Sequence, residues 1–201
     1  MLNRMRIRRL PPGQSWVKEP IVYDIGPVPP VRLEDYRLRL SGEVTNPTEL
    51  DWSEVQALPR THVRRDFHCV TTWSVRGVVW DGVPTRILID RVSVAPDVRW
   101  VFVRCRDGYS TDVPIDAFAR RDALLADRMN GSPLAPEHGA PLRLVVPCLY
   151  AWKSAKYVEE LEFLSERRPG FWEQRGYHDR GDPWLEERFR ANPRGTKETG
   201  A

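Results

Sequence analysis

The chain has 201 residues, 31 Lys and Arg against 28 Asp and Glu for a net charge of +3, 41% hydrophobic residues and eight Trp. That is enough apolar surface for one substantial core, and the near-balanced charge lacks the basic excess of a protein that lives on nucleic acid. No apolar stretch, LRLVVPCLYAW included, is long and uninterrupted enough to span a bilayer.

The opening MLNRMRIRRL carries Arg4, Arg6, Arg8 and Arg9 without an acid. No apolar segment follows, so a solvated arm over residues 1–19 is expected rather than a twin-arginine export signal, and with it a cytoplasmic location. PPGQSWVKEP and GPVPPV predict an extended, proline-stiffened lead-in, with regular structure beginning at Tyr36. YRLRLSGEV alternates as a strand, PTELDWSEVQAL predicts a turn and a short helix capped by Asp51 or Ser53, and HVRRDF a second strand running into Cys69. PTRILIDRV predicts a helix, RWVFVRC a buried strand, and DGYSTDVPI a turn at Asp107 and Gly108 leading into a strand. LRLVVPCLY and KYVEELEFL supply two more strands. Strands and short helices without βαβ regularity predict a single α+β domain over residues 20–191. Its last part, ERRPGFWEQRGYHDRGDPWLEERF, predicts an irregular wrap, followed by a disordered tail at 192–201.

Cys69, Cys105 and Cys148 are widely spaced and odd in number, which describes neither a disulfide scaffold nor a zinc knuckle. In HCVTTWS, Cys69 ends a strand and enters a loop. There a sulfur can act as nucleophile or soft metal ligand, or be an ordinary buried thiol. In PEHGAPLRLVVPCLYAWKSAKYVEEL, His138 and Arg143 flank a glycine turn, and Lys153 and Lys156 follow around Ser154 and Ala155. Such donors together suit a phosphate or a polar heterocycle, although each alone reads as a surface cation. On these residues alone Cys69 stands either as a metal ligand at a cofactor site, in an enzyme or in a carrier or sensor without turnover, or as the nucleophile of a thiol hydrolase or transferase with His68 or His138 as base.

DFHCVTTWS followed by WDGVP, then DGYSTDVPI, HGAPLRLVVPCLYAWKSAKYVEELEF and PGFWEQRGYHDRGDPW, resemble the molybdopterin-binding domain of the sulfite oxidase family, above all its short single-domain bacterial members. The resemblance runs from about Pro20 to Arg188. It implies the mixed α+β sulfite oxidase fold, a Mo-molybdopterin cofactor, and an oxidoreductase that moves one oxygen atom to or from a small substrate. It also assigns roles. Cys69 matches the cysteine that ligates molybdenum, and Tyr109 the active-site tyrosine near the metal's oxygen ligand. His138 and Arg143 match pterin-contacting positions, and Ser154, Ala155 and Lys156 the turn that holds the cofactor's polar end. Cys105 falls near another cofactor contact, although a small core residue explains it as well, and His68 either orients the metal ligand or packs at a strand end. Cys148 reads as structural, and His178 as part of a packed lid.

Without a haem-attachment motif or an iron–sulfur cysteine cluster, the resemblance requires an external electron carrier. Sulfite oxidases hold their anionic substrate with an arginine just before a Pro-Val-Pro. Here IVYDIGPVPP puts Tyr23 at about that place, and Arg76 reads as a solvent-facing loop cation. Sulfoxides or N-oxides therefore enter beside sulfite as expected substrates. No counterpart of the family's immunoglobulin-like dimerisation domain is present, so a monomer is expected.

Overall fold

The computed structural model describes residues 10–190. The arginines at positions 4, 6, 8 and 9 and the tail at 192–201 lie outside the described residues. In chain order the elements are β1 (Ser15–Val17), β2 (Arg37–Gly42), β3 (Thr48–Asp51), α1 (Trp52–Ala57), β4 (Thr61–His68), β5 (Trp73–Pro84) and α2 (Thr85–Val92). They continue with β6 (Trp100–Cys105), β7 (Ser110–Pro114), α3 (Ile115–Phe118), β8 (Leu124–Met129), β9 (Ser132–Pro133), β10 (Arg143–Val145) and β11 (Val158–Leu164). Short 3-10 turns fill several connections, among them Ala151–Lys153 and Glu173–Arg175.

These elements make two mixed sheets. One is ordered β3-β2-β11-β6-β7, and in the other β5 is central, flanked by β4, β1 and β8, with β10 and β9 on β8. The alternation that marks β2 is the burial pattern itself: Leu38 and Leu40 are buried while Arg37 and Arg39 face out. In β11 the pleat shifts once, between Val158 and Glu160, so Leu161 and Phe163 point inward while Glu160 and Glu162 meet Arg39, Arg104 and Arg168 outside. Asp51 caps α1 in a full capping box with Glu54, which satisfies two otherwise orphaned donors. Sheets with few helices in one domain are the α+β fold expected.

Two cores result. The larger lies between the sheets and gathers Leu40, Val103, Leu125, Leu144 and Leu161. The smaller surrounds Phe67, Trp73 and Trp80 and includes Cys69 at its margin. Burial of each such apolar side chain contributes about 1.5–3 kcal/mol.

Three expectations need correction. Order does not wait for Tyr36: Ser15–Val17, inside the presumed solvated arm, pairs in parallel with Trp73–Val75 of β5. Two strands, β5 and β8, have no alternation to betray them, because β8 is buried along Leu124–Asp127 and β5 is buried at most positions on both faces. Arg76 belongs to β5 rather than to a loop, and its guanidinium lies over the Trp16 ring at 4.7 Å. Of LRLVVPCLY, only Arg143–Val145 pairs as a strand.

Candidate functional site

Between the two cores opens a cavity of about 440 Å³. One wall is the turn between β4 and β5. There Cys69 N–H donates to Trp73 O at 2.9 Å and Thr72 N–H to Cys69 O at 3.2 Å. Thr72 takes a φ of 73°, a left-handed conformation that costs a β-branched residue about 1–3 kcal/mol. The fold holds the strain in place from behind: Ser15 N–H of β1 donates to Thr72 O at 2.8 Å, and Gln14 Nε2 donates to Cys69 O at 2.9 Å. Cys69 Sγ lies 3.2 Å from Thr71 Oγ1. Burial pushes its thiol above the ordinary range, and the Thr71 hydroxyl offsets this in part.

The opposite wall is β10 and the turn that follows it. Arg143 is buried and donates from Nη1 to His138 O and from Nη2 to Ser154 O, both at 3.0 Å. Its Nε has no partner, and its guanidinium faces the rings of Trp80 and Phe67 at 5.0 and 5.5 Å. No carboxylate neutralises it among the described residues, and burial pulls it down to about 10. The arrangement is an anion site in waiting, since a buried cation of this kind is stabilised by a charged acceptor. Ser154 Oγ accepts from Val146 N–H at 2.9 Å, and Ala155 O from Leu144 N–H at 2.8 Å, which holds the turn against β10. Gly139 permits the close approach of the His138 loop: at φ 106° a side chain there would meet Lys156 and Arg143 at 3.0–3.1 Å. Lys156 Nζ ties the lead-in down, donating to Tyr23 O at 2.9 Å and Glu137 O at 3.1 Å and pairing with Asp24. Burial first and Arg143 second lower the His138 imidazole.

Cys69, Tyr109, His138, Arg143, Ser154, Ala155 and Lys156 thus line one cavity. The other expected positions do not. Cys105 packs in the larger core and is absent from the cavity wall, because the β6 pleat turns it inward beside Val158. His68 is also outside the lining. Its Nδ1 lies 2.7 Å from Ser74 Oγ, which donates to Gln14 Oε1 at 2.9 Å. That makes the His68 Nδ1–H the donor, and places the ring in a buried chain that ends on the Cys69 carbonyl through Gln14. Lys153 points away from the cavity altogether. It is fully buried, 2.9 Å from Asp112 Oδ1 and 2.6 Å from Glu173 Oε1. Cys148 is half-buried against the larger core, its thiol pushed up to about 11 by burial. His178 Nδ1 accepts main-chain N–H groups of Arg180 and Gly181 at 3.2 Å, and the residue is not among those lining the cavity.

Tyr23, singled out from the sequence, is in the wall, whereas sequence reasoning missed Trp152, Trp172 and Tyr177. The only signal for the last two was the aromatic density of PGFWEQRGY. Among the described residues no three His, Cys, Asp or Glu side chains converge as a metal site, and no helix is long and apolar enough to cross a membrane. A metal at Cys69 must therefore take its remaining ligands from a bound group, and the cavity with its unpaired Arg143 fits one that carries an anion.

Comparison with known proteins agrees. Residues 25–172 match the family model described as the oxidoreductase molybdopterin binding domain. The chain is 41% identical over 182 residues to the uncharacterized oxidoreductase YuiH of Bacillus subtilis, covering 90% of this chain and 92% of that one. It is 31% identical over 157 residues to the protein-methionine-sulfoxide reductase catalytic subunit MsrP of Campylobacter jejuni, and 29% over 188 residues to sulfite oxidase of Arabidopsis thaliana. Those matches cover 70% and 76% of this chain but only 52% and 48% of the relatives. The fold is similar to the sulfane dehydrogenase SoxCD of Paracoccus pantotrophus, with a TM-score of 0.60 at 25% identity over 69% of this chain and 40% of that one. The chain belongs to the sulfite oxidase family of molybdopterin-dependent oxidoreductases, with Mo-molybdopterin as its cofactor.

Proposed function

We propose that this oxidoreductase reduces an uncharged S-oxide or N-oxide by oxygen-atom transfer, with electrons from an external carrier, and that Cys69 is the molybdenum ligand. The observation that carries the substrate choice is the commitment of the cavity's cations. Arg143, which has no countercharge of its own, is taken by the cofactor's anionic end, and Lys156 by Asp24, Tyr23 O and Glu137 O. The Cys69 wall offers Thr71, Phe67, Val70 and Trp73, which suit a neutral group, and the cation nearest this turn, Arg188, is outside the cavity lining and donates to Val70 O and Pro12 O. Tyr23, at about the place where the resemblance puts the sulfite-holding arginine, accepts from Thr71 Oγ1 at 3.4 Å.

When bound, the cofactor supplies a two-electron redox centre with a soft sulfur ligand set. The chain does the rest. Arg143, with His138, Ser154 and Lys156 around it, binds the cofactor's anionic end. The strained Thr72 turn aims the Cys69 sulfur, and apolar walls exclude bulk water. Reduction then breaks the S–O or N–O bond, takes up two electrons and two protons, and releases the oxygen as water. The C. jejuni relative is named as the catalytic subunit of a methionine sulfoxide reductase, which supports both the oxide chemistry and the need for a further electron-supplying protein.

The thiol hydrolase reading finds no support in the geometry: Cys69 Sγ meets Thr71 rather than an imidazole, and its thiol is raised, not lowered. Activated nucleophilic cysteines show the opposite shift.

The test is protein from a molybdopterin-competent host, analysed for metal and pterin and then assayed with sulfoxides and N-oxides under a reduced viologen, and with sulfite under a dye acceptor. Oxide reduction should exceed sulfite oxidation, and Cys69→Ser should change the molybdenum environment in X-ray absorption and abolish turnover. Sulfite as the best substrate, or an unchanged metal environment in Cys69→Ser, overturns the proposal.

A further inference from the structure

A second concavity, a groove of about 440 Å³, lies between β4 and the turn that joins α3 to β8, and it shares no residue with the cavity at Cys69. Four guanidiniums line it, those of Arg64, Arg65, Arg120 and Arg121, against the single carboxylate of Asp122. That excess equals the net charge of the whole chain, +3, so the rest of the protein is neutral in sum and its surplus is gathered in one place.

The backbone sets these charges out. Strict alternation would turn one of two consecutive strand residues inward. A register shift between Arg65 and Phe67 breaks it, and Arg64 and Arg65 are both exposed, as happens where a bulge re-aims side chains. Gly77 of β5 leaves room for Arg64, because a Cβ there would come within 2.9 Å of its Nε. Asp122 is buried and shared, with Arg65 Nε on Oδ2 and Arg120 Nε on Oδ1, both at 3.0 Å. Those bonds fix two of the cations. The Arg64 and Arg121 side chains are exposed and make no hydrogen bond or ion pair among the described residues.

The groove is close to the redox site. Cys69 follows Arg65 by four positions, about 13 Å of extended chain, along the strand that leads to it. Val63, also in the groove wall, packs in the smaller core with Phe67, Trp80 and Cys69. Phe67 and Trp80, with ring centroids 5.7 Å apart, are the rings that Arg143 faces from the cofactor wall. A layer of packed aromatic side chains thus stands between groove and cavity, through which an electron can tunnel and a substrate cannot pass. Weak redox encounters use small interfaces, and complementary charge steers them and sets their rate.

We propose that this groove docks the electron supplier, and that the supplier is a small acidic protein that gives up one electron at a time. The direction of flow rests on the oxide-reductase reading. Two deliveries, each oxidising a carrier by one electron, balance the two electrons that the oxide takes up with its two protons. A nucleic acid would call for a longer basic stripe, whereas these cations are confined to positions 64–65 and 120–121.

The probe is an acidic flavodoxin, used with cofactor-loaded protein in two measurements. Isothermal titration of oxidised flavodoxin reads docking, and stopped-flow reoxidation of reduced flavodoxin without any oxide reads electron transfer. The wild-type second-order rate should fall about tenfold or more from low to high salt. Arg64→Glu with Arg121→Glu should remove the binding heat and lower that rate about 10–10³-fold, while reduction by viologen stays unchanged. Arg91→Glu with Arg99→Glu, the same change in charge outside the groove, should keep both binding and rate. Equal losses in the two double variants, a wild-type rate that ignores salt, or no binding of flavodoxin overturns the proposal. So does capture of a labelled DNA duplex, in place of flavodoxin, that the groove variant abolishes. Neither measurement contains an oxide, so a failed oxide screen overturns only the substrate assignment.

Discussion

The two walls of the cavity follow opposite electrostatic rules. The β10 wall buries a guanidinium with only carbonyl oxygens and aromatic faces around it. The wall at the β4–β5 turn presents a thiol, hydroxyls and apolar rings, with Thr71 the partner of the Cys69 sulfur among the described residues. Burial without a countercharge destabilises the empty protein at one wall, and the interaction is recovered when an anion arrives. No such deficit exists at the other. The difference teaches that, on the proposed assignment, cofactor binding and chemistry are separated in kind: charge complementarity would hold the group, while a sulfur-bearing surface of hydroxyls and apolar rings would receive the reacting end.

That contrast can be broken from the charged side first. Lys153 supports the β10 wall from behind, and Lys153→Met leaves Glu173 and half of Asp112 buried and unpaired, so a loss of about 3–5 kcal/mol is expected in denaturant melts. A drop below 1 kcal/mol would mean that the buried network does not carry the turn. Next, Arg143→Met should weaken cofactor retention by about 10–150-fold, the equivalent of one charged hydrogen-bonded contact of about 1.5–3 kcal/mol. Pterin-to-protein ratios after gel filtration measure this. Equal retention would remove Arg143 from the anion site.

The His138 imidazole, lowered by burial and by Arg143, sharpens the comparison through pH. In the window between its folded value and its usual 6.5, the unfolded chain binds more protons than the folded one. Stability of the empty protein is therefore complete above 6.5 and falls as the pH drops through that window. His138→Gln should flatten the Tm-against-pH slope there, and an unchanged slope counts against the assignment. The smallest effect belongs to Asp24→Asn, which loosens the half-exposed pair with Lys156 by about 0.2–1 kcal/mol. Limited proteolysis near residues 20–25 should quicken slightly while the core melt stays put.

How legible these walls were depended on the range of the interactions that built them. Leu38 and Leu40 announce β2 because one face of that strand is wet, and Asp51 with Glu54 announces α1 because a capping box is local. Strand β8 gives no such signal, since burial along Leu124–Asp127 erases the contrast between its faces. Ser15–Val17 was illegible for another reason: three residues beside prolines become a strand only because the Trp73–Val75 edge lies open to them. At the site, the pairing of Cys69 with Gln14 spans 55 residues, and no spacing rule reaches that far.

By itself the sequence determined the chemical repertoire and the class of protein: which sulfur stands at a strand end, which donors cluster around the Gly139 turn, and the family motifs that join them. Only the tertiary structure decided what each group faces. Lys153 and Lys156 are three residues apart on one turn, yet the first is sealed among Asp112 and Glu173 and the second lines the cavity. Local spacing sets the direction in which a side chain leaves the backbone, but core and cavity are created by segments far away in the chain, and it is their packing that assigns each direction its environment.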